Sequence, residues 1–243
     1  MRQSNGYIIG FAIAMTVIMG GLLAFISESL KERQQREILL DTKKQILGAV
    51  DITGDDKAAL SKQFDEQVEA VVVNSKGEEV AYEGEILKIN IQKEWKKKDD
   101  SQKLLPVYKM KGEGGKATAY ILPVYGYGLW NTIWGYVALE EDLKTIKGVV
   151  FDHAGETPGL GARIADADIQ ERYVGKKIFE EGDLKPVVMV KGEGNQITSD
   201  YKVDGMSGAT LTAVGLNDML ADYLELYKSY IKDLKGTSAV SMN

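Results

Sequence analysis

The residues with the most chemical promise are Asp204-Gly205-Met206-Ser207-Gly208-Ala209-Thr210. Ser207 and Thr210 carry hydroxyls among small neighbours, just before a run in which Leu216, Leu220, Leu224, Tyr227, Ile231 and Leu234 recur at steps of three or four. That spacing gives one apolar helix face. The hydroxyls therefore fall at or near a helix N-terminus, where unpaired backbone N–H groups and a partial positive charge favour a phosphate. The small residues let such a group come close. Ser207, Thr210 or Thr212 is equally suited to capping the helix by accepting a backbone N–H.

Two further stretches could meet a ligand. Gly126-Tyr127-Gly128-Leu129-Trp130-Asn131-Thr132 precedes an apolar run at residues 133–139. Its glycines allow close backbone approach. Trp130 offers either a flat face for a planar ring or a core side chain. There is no third glycine at dinucleotide spacing, and no Walker-type loop occurs in the chain. The second stretch is Asp152-His153-Ala154-Gly155-Glu156-Thr157-Pro158-Gly159-Leu160-Gly161, a dense turn cluster that would hold Thr157 and Leu160 in place. His153 could act as a base, donate to a ring or do neither.

Composition narrows the chemistry. The 243 residues include 30 Lys plus Arg against 36 Asp plus Glu, a net charge of -6, which argues against a nucleic-acid partner. There is no Cys and one His, which removes disulfides, thiolate zinc sites, cysteine-held iron–sulfur clusters and histidine-rich metal sites. No residue stands out as catalytic or as a metal ligand.

The positioning elements follow from the patterning. Tyr7 to Ile26 is apolar and uncharged. Twenty helical residues span roughly 30 Å, the thickness of a bilayer core. A cleaved signal peptide is the alternative, but the run is long for one and the exit Ser27-Glu28-Ser29 is a poor cleavage site. Lys31, Arg33 and Arg36 follow the span and only Arg2 precedes it, so the positive-inside rule taken alone places the C-terminal side in the cytoplasm. A helix should continue to about residue 50, with a second at 55–67. Strands are expected at 68–73, 107–110, 117–124, 133–139, 145–151 and 187–190, a helix at 164–173, and the long final helix ending near residue 235. Lys93 to Lys103 reads as a solvated loop or helix end. Lys111-Gly112-Glu113-Gly114-Gly115 reads as a hairpin turn. The letters K-G-E-G recur at Lys191 to Gly194, which we read as reuse of a good turn.

D-G-M-S-G-A-T resembles the flavinylation motif of the FMN-binding domain family. With G-Y-G-L-W-N-T-I-W-G-Y-V-A-L, G-E-T-P-G-L-G and the N-terminal apolar helix, the chain is similar to the C subunits of the sodium-translocating NADH:quinone oxidoreductases. The homologous G subunits of Rnf electron-transport complexes share E-T-P-G-L-G and S-G-A-T, and the G-L-W-N-T-I-W segment favours the quinone-reductase subunit. The resemblance implies that Thr210 carries FMN through a phosphoester, placed there from FAD by a separate flavin transferase. It implies that Ser207, Gly208, Ala209 and Asp204 complete the motif, that Glu156, Thr157, Gly159, Leu160 and Gly161 form a loop meeting the flavin, and that Leu129, Trp130 and Asn131 form the other wall.

The expected fold is α+β: a single N-terminal transmembrane helix followed by a mainly antiparallel β FMN-binding domain flanked by helices. The expected layout is a tail at 1–6, the membrane helix at 7–26, a helical and mixed part at 27–100, the FMN-binding domain at 101–235 and a disordered tail at 236–243. The resemblance further implies an electron-carrier subunit, without a substrate site of its own, of the six-subunit Na+-transporting NADH:ubiquinone reductase, single-pass in the bacterial inner membrane with its soluble domain on the periplasmic side. It outweighs the charge count after the span, because large domains cross largely regardless of flanking charge. The alternatives are the Rnf subunit, or a membrane-anchored scaffold in which Thr210 only caps a helix.

Overall fold

The computed structural model describes residues 4–112, 114 and 116–240, with side chains through residue 236. The chain divides into two units, residues 1–41 and 42–243, the division falling inside the first helix, α1 (Asn5–Gly48). In the first unit the apolar run is helical throughout and its side chains are exposed. It is long and apolar enough to cross a membrane. A helix apolar on all sides with nothing packed on it is suited to lipid rather than water.

In the second unit the last turns of α1 lead to α2 (Lys57–Gln67), capped by Asp56, whose carboxylate accepts from Ala58 N and Ala59 N. Strand β1 (Val68–Val73) follows, and the turn at 74–77 closes with Gly77 N donating to Asn74 O at 3.0 Å. After a short helix α3 (Ile91–Trp95), the strands β2 (Leu105–Lys111), β3 (Ala117–Tyr127), β4 (Thr132–Glu140) and β5 (Ile146–His153) complete one antiparallel sheet in the order β1-β2-β3-β4-β5. Glu113 and Gly115 of the expected hairpin turn lie outside the described residues. Helix α4 (Ala167–Gln170) and the short pairs β6 (Phe179–Glu180) with β7 (Asp183–Leu184) and β8 (Val188–Met189) with β9 (Lys202–Val203) lead to α5 (Thr210–Val240).

Strand alternation distributes the core. Val107, Leu122, Val124, Val137 and Leu139 pack with Leu216, Leu220, Tyr223, Leu224, Tyr227 and Ile231 of α5. Their sequence neighbours Tyr108, Met110, Ala119, Ile121 and Ala138 cluster instead with Ile46 and Leu47 of α1 and with Leu60 and Phe64 of α2. The period of two in the strands and of about 3.6 in α5 therefore yields a sheet covered on both faces. Tyr227, fully buried, donates its hydroxyl to Pro106 O at 2.9 Å.

Four local expectations need correction. The boundary near residue 100 separates no bodies, because β1 is an edge strand of the common sheet. The helix expected at 164–173 is broken into a 3₁₀ turn at Gly161–Ala165, α4 and a 3₁₀ turn at Glu171–Tyr173, because Asp166 is extended (φ -76, ψ 141). The charged stretch at 93–103 is not uniformly solvated: Glu94 is buried and accepts from Leu104 N at 2.8 Å, and Lys103 is buried against Asp100. Finally, α5 continues past residue 235 to Val240; residues 241–243 of the expected tail lie outside the described residues.

Candidate functional site

Three loops converge at the N-terminus of α5, and a buried carboxylate joins them. The β3–β4 connection is tight, with Gly128 N donating to Asn131 O at 2.8 Å. The amides of Trp130 and Asn131 donate to one oxygen of Glu156, at 2.9 Å and 3.2 Å. The other oxygen of Glu156 accepts the Thr212 hydroxyl at 2.7 Å. Glu156 is 4% exposed. Burial pushes its carboxyl pKa up, but the donors from Thr212, Trp130, Asn131 and Leu129 outweigh that and hold it below the ordinary range. Glycine is required on either side: a Cβ at Gly128 would lie 2.6 Å from one carboxylate oxygen and a Cβ at Gly161 2.6 Å from the other.

The Glu156 loop is itself fixed. Its backbone N–H donates to His153 Nδ1 at 3.2 Å, and Thr157 O accepts from Leu160 N and Ala162 N, both at 3.1 Å. His153 is thus a loop brace. Leu160 is exposed, and a Cβ at Gly208 (φ 74) would sit 2.8 Å from its Cδ2. The E-T-P-G-L-G loop and the S-G-A-T loop therefore touch.

Thr210 is the first residue of α5, partly exposed, and its hydroxyl makes no hydrogen bond among the described residues. Thr212, two positions along the helix, is 1% exposed and committed to Glu156. Ser207 is exposed; its backbone N–H, not its hydroxyl, is engaged, donating to Glu193 at 3.1 Å. Neither Ser207 nor Thr210 makes a side-chain capping bond among the described residues. Around this point Leu129, Trp130, Leu160, Leu211 and Val214 are exposed, Trp130 by 70%. Trp130 is therefore a surface residue rather than a core one.

The motif residues separate into two groups. Thr210, Ser207, Gly208, Thr157, Gly159, Leu160, Leu129, Trp130 and Asn131 reach the surface, whereas Ala209, Glu156 and Gly161 are buried. Both oxygens of Glu156 are taken from within, so it ties the loops of the site together. Asp204 is engaged by the 194–195 turn. Its carboxylate accepts from Gly194 N (2.8 Å), Asn195 N (3.0 Å), Asn195 Nδ2 (2.8 Å) and Gly205 N (3.0 Å). Burial raises its pKa, but these donors outweigh it and the net shift is downward.

Sequence reasoning missed Thr212 as the partner of Glu156. It also missed an ion-pair group in which Arg163 and Arg172 share Glu193. The only signal for that group was the second K-G-E-G, read as a turn.

FMN fits what is present. An unbonded hydroxyl at a helix N-terminus suits a phosphate, and the exposed apolar side chains beside it suit a flat aromatic ring. Thr210 would hold the phosphate, with Leu129, Trp130, Leu160 and Leu211 available to the ring.

Comparison with known proteins points to the same cofactor. The FMN-binding domain family matches residues 128–225. The chain is 31% identical over 243 residues to the C subunit of the Na(+)-translocating NADH-quinone reductase of Neisseria meningitidis serogroup B, covering 93% of each chain. The crystal structure of the corresponding C subunit from Parabacteroides distasonis superposes with a TM-score of 0.74 at 33% identity, covering 83% of this chain and 96% of that one. The Shewanella oneidensis NqrC structure gives 0.72 at 28% identity, covering 83% and 99%.

Proposed function

Because the chain belongs to the family of C subunits of the Na(+)-translocating NADH-quinone reductase, we propose that it is a membrane-anchored electron carrier bearing FMN as a phosphoester on Thr210. It relays electrons within a six-subunit complex that couples NADH oxidation and quinone reduction to sodium export. It has no substrate site of its own. It sits in the bacterial inner membrane through α1, with the sheet domain on the periplasmic side. FMN, when bound, takes up and passes on electrons; the chain supplies binding, orientation and surroundings. The N-terminus of α5 favours the phosphoester's negative charge. Glu156 fixes the relative placement of the three loops, and Leu129, Trp130, Leu160 and Leu211 give the ring an apolar bed. A covalent link keeps the cofactor whatever the affinity of that bed.

The observation that carries this proposal is the contrast between two threonines. Thr210 has a partly exposed hydroxyl without a partner among the described residues, whereas Thr212 is buried and bonded to Glu156. A capping role for Thr210 has no hydrogen bond to support it. The Rnf assignment has less support, since the Neisseria, Parabacteroides and Shewanella proteins are all C subunits of the quinone reductase.

The test is expression of the full chain with a flavin transferase. Ultraviolet fluorescence of the denatured band and mass analysis of the peptide containing residue 210 should show one added FMN, lost in Thr210→Ala and kept in Ser207→Ala. A dark, unmodified chain from cells with active transferase would overturn the proposal.

A further inference from the structure

Beside the attachment loop lies a group of charged side chains outside the three motif loops. Glu193 accepts from Arg163 through both oxygens (3.0 and 2.8 Å) and from Arg172 at 3.1 Å, and its Oε2 also takes the backbone N–H of Ser207 at 3.1 Å. Arg172 reaches further, donating to Gly205 O at 2.6 Å and to Asp204 O at 3.3 Å, while Asp168 holds it from its other side at 3.1 Å. In return, the Asp204 carboxylate grips the 194–195 turn. The two segments lie so close that a Cβ at Gly205 would sit 2.2 Å from Gly192 O. Residues 204–207 are thereby laced to the 191–195 turn on both sides, three residues before Thr210.

We propose that Glu193, gripped by Arg163 and Arg172, is a positioning residue for flavin attachment, holding the Asp204–Ser207 backbone so that the Thr210 hydroxyl is presented to the transferase; this rests on the covalent assignment above. In the transfer the Thr210 oxygen bonds the flavin-side phosphorus of FAD, the pyrophosphate P–O bond breaks, AMP leaves, and the hydroxyl proton passes to a base of the transferase. No electrons change hands. Glu193 touches neither reactant. A misplaced nucleophile lowers the rate of such a step steeply, so the expected effect is on turnover.

The experiment measures flavin transfer from FAD to the full-length chain in detergent by a flavin transferase, read as mass added against time at varied acceptor concentration. Glu193→Ala should lower kcat about tenfold or more, with the acceptor KM and the melting temperature near those of the unaltered chain. Glu193→Gln, which keeps an oxygen for the Ser207 amide, should fall between. Arg163→Met is the second variant: the Arg163 side chain bonds no backbone group among the described residues, so its loss leaves the loop's own hydrogen bonds in place. It too should slow transfer. Transfer at the unaltered rate in Arg163→Met and Glu193→Gln, or a rise in KM with kcat retained, overturns the positioning role. An unaltered chain that takes no label overturns the covalent assignment itself.

Discussion

Glu156 and Thr212, 56 positions apart in sequence, meet through a 2.7 Å hydrogen bond beneath the exposed surface of the site. This contact gives a structural reason, independent of the motif, for two nearby hydroxyls to differ. It turns Thr212 inward as a donor to a buried carboxylate and leaves Thr210 facing out. It also ties α5 to the β3–β4 loop through the amides of Trp130 and Asn131.

Thr212→Val should therefore destabilise the domain by about 1–2 kcal/mol, because a buried carboxylate loses one of its donors. Urea unfolding followed by circular dichroism measures it. A midpoint equal to that of the unaltered chain would show that Glu156 needs no hydroxyl partner.

Acid should loosen the site. Glu156 and Asp204 both have pKa values below their ordinary carboxylate values, because hydrogen-bond donors outweigh burial at each. A carboxylate with a depressed folded-state pKa adds stability that is present above its unfolded value and is lost as pH falls through its folded value. Stability should thus be insensitive to these groups near neutrality and fall below about pH 4. Glu156→Gln and Asp204→Asn should each be less stable than the unaltered chain at pH 7 and show a shallower acid decline. Melting temperatures from pH 3 to 7 provide the comparison; parallel curves for all three proteins would contradict it.

His153→Phe removes the acceptor of the Glu156 N–H. The expected cost is about 1 kcal/mol, with faster hydrogen exchange at the Glu156 amide. Flavin attachment should persist, since His153 makes no hydrogen bond to Thr210 among the described residues. Loss of attachment in a folded His153→Phe protein would give the imidazole a chemical part instead.

Trp130, 70% exposed, supplies almost no core contact. Trp130→Ala should shift unfolding of the apoprotein by less than about 0.5 kcal/mol, yet make the attached flavin more accessible to a soluble quencher. Unchanged quenching would remove Trp130 from the ring's surroundings.

The natural chain contains no cysteine, so one introduced thiol reports topology without background. Lys202→Cys, at an exposed position of β9, should react with a membrane-impermeant maleimide in cells whose outer membrane has been opened. Labelling only after the inner membrane is broken would place the domain in the cytoplasm, as the cations Lys31, Arg33 and Arg36 taken alone suggest.

Much of this architecture was legible because it is periodic. The stripe from Leu216 to Ile231 reports a local geometry, the apolar runs between turn signals mark β2 to β4, and the resemblance identified the loops around Thr210. The rest depends on contacts between residues with no periodic relation. The motif named Thr210, but nothing in the letters showed that Thr212 is committed to Glu156. Arg163, Arg172 and Glu193 are ordinary surface charges until the chain brings them to Ser207. Glu94 and Lys103 sit in a charged run yet are buried, bonded to Leu104 N and Asp100, and the extended backbone at Asp166 breaks a run whose composition reads as helical. The recurrence of K-G-E-G was visible, but not that its second copy reaches Ser207 through Glu193.

Thr210 opens a helix whose side is pressed into the sheet through Leu216, Leu220, Tyr223 and Tyr227. A group fastened there hangs from a fixed post and not from a swinging arm. Its travel is limited to the few single bonds of its own leash, and any longer excursion toward an electron donor or acceptor has to be made by the domain as a whole.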